Sequence, residues 1–269
     1  MRLLPPATRL DRVTSVSLFL TGGLSASSSS RRARESHAAE LDRLVRLVAA
    51  HELSVTWGSS PSRFGELRER LDGISAVQEL ALLGEADWLA PNQTRGGIVR
   101  RLNEATAAAE ELGFELSSLL LSGVSLQSDF DLLAKHGVNL VLVDTSISND
   151  ATRTPADGEI RTLRFGLWQL AATTRLPHEG SRLSLLAGGL TRQLDRAIGR
   201  GEAVHLAVDV AKILADAGAL RQFEQLLAQL ARQQKQGSTR VQTLRQIAAE
   251  LGTSRSRAGA TSILRKEAA

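Results

Sequence analysis

Several side chains in this sequence belong to types that can move protons, bind metal ions or offer an aromatic face to a ligand. His205 could act as a general acid, and Asp144, which directly follows an apolar run, could serve catalysis at the end of a strand. Asp87 could contribute a carboxylate to a metal site, and Trp88 and Trp168 could pack against a bound ligand. Each also has a structural interpretation: a histidine bonded to a neighbour, an aspartate that caps a loop, or tryptophans in the core.

The absence of cysteine narrows this chemistry, because it excludes disulfides, thiolate metal sites and a cysteine nucleophile. With 42% hydrophobic residues, the 269-residue chain can bury a substantial core. No uninterrupted apolar stretch is long enough to span a membrane, and residues 1–20 lack the core and cleavage site of a signal peptide. These features predict a cytoplasmic protein.

Positive charge is unevenly distributed along the chain. The formal net charge is only +4, but the sequence pI is about 10.2 because most basic residues are arginine. Basic residues cluster at 31–34, after a run of serines, and again from residue 232 to the end. Such a tail either is a solvated end of an arginine-rich chain or contacts an acidic surface or nucleic acid.

Apolar runs of strand length alternate with segments of helical periodicity, which is typical of βα units. Gly137 is a stop signal of the kind such helices use, and either Asn92 or Thr94 is the start signal of another. The predicted strands are 13–20, 53–57, 77–83, 114–121, 138–143, 160–167 and 203–208. The predicted helices are 35–51, 63–71, 94–112, 129–136, 190–198, 213–234, which Gly218 could interrupt near its start, and 243–251. This alternation, with about seven units, predicts an α/β barrel or a distorted barrel.

Several short segments, in a fixed order, carry a resemblance to a known family. A first strand ends in Phe19 and, three residues later, Gly22. A second ends at Leu83, with Asp87 four residues on, and a third is followed by Gly123. His205 lies on a late strand. The longer segments in this order are 130–143 (FDLLAKHGVNLVLV) and 220–251, the latter resembling a pair of closing helices.

In this order and spacing the chain resembles the polysaccharide deacetylases, the homology group that includes chitooligosaccharide deacetylases. The resemblance covers about residues 12–252 and implies a distorted (β/α) barrel with closing C-terminal helices. We predict one barrel domain over residues 1–252, followed by a basic tail at 253–269. It also implies a site at the carboxyl ends of the strands. There, one aspartate and two histidines hold a divalent metal that activates water for removal of acetyl groups from amino sugars.

The chain departs from the family pattern at most of the positions that carry chemistry. Leu20 and Thr21 stand where the family has two aspartates, and Leu83 stands where it has the first metal-binding histidine. Only Asp87 remains as a metal ligand, and His205 as a general acid. In a cleft of this family, Trp88 and Trp168 could stack on a sugar ring. We therefore expect a degenerate, non-catalytic member without a cofactor, whose cleft binds a glycan or a protein partner; an active form would need zinc or another divalent metal.

A second hypothesis concerns DNA. Residues 243–254 resemble the first helix and turn of a helix-turn-helix, and residues 255–265 could form an arginine-bearing recognition helix. Nucleic-acid binding of this kind would weaken steeply with salt and would be lost on removal of residues 240–269. A binding cleft in the barrel would survive that truncation.

Overall fold

Strands and helices alternate along the chain, as the sequence predicts. The computed structural model describes residues 13–21, 31–84, 94–122, 129–144, 160–176 and 189–253. Within these residues the chain forms one curled, mostly parallel sheet with helices packed on its outer face. The predicted α/β class and the distorted (β/α) barrel are confirmed.

The described residues contain ten strands and eight helices. The strands are β1 Thr14–Thr21, β2 Val55–Ser59, β3 Gln78–Gly84, β4 Ser118–Ser122, β5 Leu140–Asp144, β6 Ile160–Thr162, β7 Trp168–Ala171, β8 Thr174–Leu176, β9 Val204–Asp209 and β10 Thr239–Gln242. The helices are α1 Arg31–Ala50, α2 Phe64–Leu71, α3 Arg95–Glu111, α4 Phe130–Lys135, α5 Gly189–Arg200, α6 Val210–Ala215, α7 Ala217–Lys235 and α8, residues 244–253.

The sheet runs in the order β6-β7-β5-β4-β3-β2-β1-β9-β8, and β10 pairs with β1. Every pairing in the described part is parallel except β6 with β7. Strand β1 lies beside β9 over six residue pairs, from Val16 to Thr21. Its other edge is shared between β10 near the start and β2 near the end. The carboxyl ends of the parallel strands therefore meet at one edge of the sheet.

Both faces of the sheet are buried, which explains the continuous apolar runs in the sequence. On the outer face, one apolar cluster packs β1, β2 and β9 against α1 and α7, and a second packs β3, β4 and β5 against α3 and α4. The inner face holds a third cluster, in which Phe19, Leu120 and Leu142 from three different strands meet. Contact between side chains from β1, β4 and β5 requires the sheet to curl.

Helix α8 closes the amino end of this curled sheet. Its apolar residues Leu244, Ile247 and Ala248 join the interior cluster. Thr243 and Gln246 form a reciprocal cap at its start: the Gln246 amide donates to Thr243 Oγ1, and the Thr243 amide donates to Gln246 Oε1 over 2.9 Å. The predicted closing helix is confirmed. The apolar face of the first helix of the proposed helix-turn-helix therefore packs against the barrel interior. The proposed recognition helix, residues 255–265, lies outside the described residues.

The structure differs from the predicted secondary structure in detail. The segment 160–167 forms a strand only to Thr162, and a 3-10 turn at Arg164–Gly166 separates it from the unpredicted β7. The helix predicted from 213 is interrupted near Gly218, as its sequence indicates, because the Asp216 carboxylate accepts from the amide of Gly218 over 2.7 Å and starts α7 anew. The short strands β8 and β10 carry too few apolar residues to be recognised.

Gly58 lies in a closely packed part of the barrel interior. A Cβ atom at this position would lie 2.4 Å from Cδ1 of Leu120, which is 1% exposed. We expect Gly58→Ala to lower the free energy of unfolding by about 1–3 kcal/mol through overpacking. Gly65→Ala on α2 is the matched control, because its Cβ would meet nothing closer than 3.9 Å. Equal unfolding free energies for the two variants in urea would contradict this account.

Candidate functional site

Polar residues end several strands at the carboxyl edge of the sheet, and two of these strands, β1 and β9, are neighbours. Thr21 is the last residue of β1, Asp144 of β5 and Asp209 of β9. The parallel register places Thr21 directly beside Asp209. In parallel α/β sheets, ligands bind outside the carboxyl ends of the strands, so we expect a ligand-binding site at this edge.

Asp209 is the centre of a charged cluster at this edge. Its Oδ2 atom lies 3.4 Å from Nη2 of Arg175 and 3.8 Å from Nζ of Lys212. Its Oδ1 atom accepts from the backbone amide of Lys212 over 3.2 Å and so caps helix α6. The Arg175 and Asp209 side chains are each only 12% exposed. The ion pair is consequently held in a fixed place and partly shielded from solvent.

The local fold explains how Arg175 reaches Asp209. Strand β8 pairs with β9 so that Arg175 lies beside Ala207, and Asp209 is two residues further on the same face. Thr21 is 8% exposed, and its hydroxyl donates to the carbonyl of Val208 over 3.4 Å. The edge thus presents a guanidinium, an ammonium, a carboxylate and a hydroxyl within one small region.

A second ion-paired group lies where the next helices begin. Arg95, at the start of α3, binds both Asp129 and Asp131 at the start of α4, and the contact with Asp131 is the shorter. The hydrogen bond from Arg95 lowers the pKa of Asp131. Asp129 has a left-handed backbone, with φ of 63°, which is uncommon outside glycine. These contacts tie together two helix starts on the carboxyl side of the sheet.

Comparison with known proteins gives a likeness of structure. No protein-family model and no curated protein matches the chain. A Mycobacterium smegmatis protein assigned as a polysaccharide deacetylase superposes with a TM-score of 0.61 at 13% identity, over 94% of this chain and 95% of that one. The chain has the polysaccharide deacetylase fold. The peptidoglycan deacetylase PdaC of Bacillus subtilis, as a mutant, gives a TM-score of 0.51 at 10% identity, over 95% and 98% of the two chains.

The same fold occurs in a larger enzyme of different activity. The 4-alpha-glucanotransferase of Thermococcus litoralis superposes with a TM-score of 0.61 at 11% identity, over 88% of this chain. This chain spans 38% of that enzyme's length. Sequence identities of 10–13% show that the fold is shared, and a shared fold does not by itself imply a shared function.

The positions that differ from the deacetylase pattern fall on two sides of the sheet. Leu83 is 6% exposed and joins the interior cluster. Leu20 packs in the outer cluster against the helices, while Thr21 ends the strand beside Asp209. Leu83 therefore adds apolar volume to the interior of the deacetylase fold, and Leu20 adds it to the helical layer.

His205 lies within the barrel and away from the carboxyl edge. It is the second residue of β9, four residues before Asp209, which places it roughly 13 Å away along the strand. The ring is 1% exposed, and its Nδ1 atom shares a hydrogen bond of 2.8 Å with the Ser17 hydroxyl. Burial lowers the pKa of His205 to about 4, so the ring is neutral at pH 7. The geometry makes it part of the interior; its role as an acid stays a prediction.

The other predicted site residues are spread over the molecule. Asp144 ends β5 at the carboxyl edge, whereas Trp168 begins β7 and so lies at the opposite, amino end. Asp87 and Trp88 lie outside the described residues. The structure therefore brings neither His205 nor Trp168 to the edge at which Asp144 ends its strand.

Sequence reasoning missed the two residues that form the ion pair at this edge. The sequence could have indicated Asp209, because this residue ends a buried and mostly apolar strand, as Asp144 does. Arg175 had none, since β8 is three residues long and its pattern is not distinctive. In the described part of the chain, no helix is long and apolar enough to cross a membrane.

Proposed function

We propose that this protein binds a saccharide at the carboxyl edge of its barrel and does not hydrolyse it. The observation that carries this proposal is the shielded cluster of Arg175, Asp209 and Lys212 beside Thr21. A planar guanidinium offers several fixed donors, and a carboxylate offers acceptors, so the pair suits the adjacent hydroxyls of a sugar.

Other proteins of the fold give support for the class of ligand. The names of the structural neighbours describe a polysaccharide deacetylase, a peptidoglycan deacetylase and a glucanotransferase. All three names describe proteins that act on polymers of sugars. We extend this ligand class, and none of these activities, to the present chain.

The described residues at this edge do not suit the divalent metal that the resemblance implies. Across the described ranges, no group of three histidine, aspartate or glutamate side chains could hold a metal ion. Asp209 already lies between Arg175 and Lys212, whose positive charges repel a cation. Leucine at positions 20 and 83 offers no donor atom. We therefore derive no catalytic step through a metal, and no hydrolysis.

Calorimetric titration with chitotriose, the trimer of N-acetylglucosamine, tests the proposal. We expect saturable binding, and we expect Arg175→Met and Asp209→Asn each to weaken it about 10- to 100-fold. The reason is that a hydrogen bond to a charged group contributes about 1.5–3 kcal/mol. Asparagine at 209 can still accept from the Lys212 amide, so the helix cap is retained.

Arg70→Met is the matched control for this titration. Arg70 also forms an ion pair, 2.7 Å from Asp42, but on the outer helix α2. Its replacement should leave chitotriose affinity unchanged. Equal affinities for wild type, Arg175→Met and Asp209→Asn would place the site elsewhere and overturn the proposal.

A further inference from the structure

A cavity opens at the amino end of the barrel, on the side away from Asp209. Its volume is about 750 Å³, which is within the usual range for ligand pockets. The wall is built where strands begin and helices end: Asn139 directly precedes β5, Trp168 begins β7, and His136 follows α4. Neither the charged cluster nor any residue of the carboxyl edge contributes to this wall.

The indole of Trp168 is the largest aromatic surface in this cavity. The side chain is half-buried, with one part against the interior cluster and another part lining the cavity. The Trp168 amide donates to the carbonyl of Asn139 over 2.9 Å, which fixes the two residues side by side. An amphipathic ring held in this way can pack against the C–H face of a sugar.

The turn before Trp168 contains an exposed aromatic residue in a strained conformation. Phe165 is 65% exposed and has φ of 59°, in the left-handed region. Its neighbour Gly166 lines the cavity. Burial of Phe165 does not offset the strain, and such strain outside glycine concentrates at binding sites.

The polar groups of this cavity favour an uncharged ligand. Two cations, Lys135 and Arg245, are balanced by two carboxylates, Glu110 and Glu115, and Arg245 is bound directly to Glu115. His136 shares a hydrogen bond of 3.3 Å with the Thr106 hydroxyl. Its pKa is lowered chiefly by burial, so the imidazole is neutral at pH 7 and can both donate and accept.

We infer that the amino-end cavity is a second binding site, which takes a neutral saccharide stacked on Trp168 and bonded to Asn139 and His136. An indole face, an amide, a neutral imidazole and hydroxyls are complementary to a ring that carries hydroxyls and no net charge. This site shares no residue with the carboxyl-edge site, so an experiment that contradicts one proposal does not contradict the other.

Tryptophan fluorescence during a chitotriose titration tests the second site directly. The chain has three tryptophans, so the titration is made on Trp88→Phe, which leaves Trp168 and the fully buried Trp57. We expect a saturable change in emission in this protein that disappears when Trp168→Phe is added, and all further variants carry Trp88→Phe as well. Asn139→Ala should retain the signal but shift half-saturation to about 3- to 10-fold higher concentration, as for loss of a neutral hydrogen bond. Asp209→Asn should leave both the signal and its midpoint unchanged.

Three results would overturn this inference. The first is an absent emission change in Trp88→Phe, and the second is a change that persists when Trp168→Phe is added. The third is a change that is lost when Asp209→Asn is added, because the signal would then report the carboxyl edge. Calorimetry of Asp209→Asn in the Trp168→Phe, Asn139→Ala background, in which the amino-end site is weakened, measures the carboxyl-edge site separately. Circular dichroism of each variant shows that it is folded.

Discussion

Glu79→Ala is expected to lower the free energy of unfolding by at least about 3 kcal/mol, because several buried donors lose their acceptor at about 1–3 kcal/mol each. Glu79 is 6% exposed on β3 and faces the interior. Its carboxylate accepts from the hydroxyls of Thr56 and Ser118 over 2.9 and 2.6 Å, and from the Arg245 amide over 2.9 Å. The Ser117 hydroxyl donates to it as well, over 3.3 Å.

This carboxylate joins the closing helix to three strands. Thr56 receives a further bond from the Leu244 amide, so the start of α8 is held by β2 and β3 together. A negative charge at the start of a helix is also favoured by the helix dipole. Loss of Glu79 should therefore loosen α8 and expose the interior at the amino end.

Urea denaturation measures this effect, with two matched variants. Glu79→Gln keeps the shape but turns an amide donor toward existing donors, so it should cost less than alanine and more than a surface change. Glu110→Ala, at an exposed position on α3, should change stability by no more than about 0.5 kcal/mol. A Glu79→Ala variant as stable as Glu110→Ala would show that the network is not formed.

His205 is expected to make the protein sensitive to mild acid. Its pKa falls from 6.5 to about 4 on folding because burial penalises the charged ring. The unfolded chain therefore binds this proton first as pH falls, so the stabilisation present above pH 6.5 is lost between about pH 6.5 and pH 4. A shift of this size corresponds to about 3 kcal/mol at the acid end.

The variant His205→Gln isolates this contribution, because glutamine does not titrate and can still bond to the Ser17 hydroxyl. We expect the difference in unfolding free energy between wild type and variant to move by about 3 kcal/mol in the variant's favour from pH 7 to pH 4. His136→Gln is the control; that ring is less buried, so its variant should show a smaller movement. A pH-independent difference for His205→Gln would contradict a neutral, buried ring.

The fold could be predicted because its strongest signals are local. Strands β1, β5 and β9 are buried on both faces, and their unbroken apolar runs are readable in the sequence. Helix α3 is capped by Thr94, one of the two predicted caps, whose hydroxyl accepts from the Gly97 amide. The turn at Phe165 was missed because alternating apolar residues there imitate a strand.

The site was harder to predict because it depends on how neighbouring strands pair and on how far each residue lies from the end of its strand. His205 and Asp209 occupy the same inner face of β9, and only their distance from the strand end separates an interior residue from an edge residue. The resemblance to the family motif indicated His205 as a site residue, although this residue lies in the interior. Arg175 comes from a strand of three residues, and its partnership with Asp209 follows from the pairing of β8 with β9, which no sequence pattern encodes.

Saccharide binding without turnover is the central claim, and acetate release during the chitotriose titration tests it most directly. Protein is saturated with chitotriose in the presence of zinc, and bound ligand and free acetate are measured in the same sample. We predict saturable binding, weakened in Asp209→Asn, with acetate at the level of buffer alone. Acetate that rises with time and with zinc, and that falls in Asp87→Ala, would contradict the account and establish a working deacetylase.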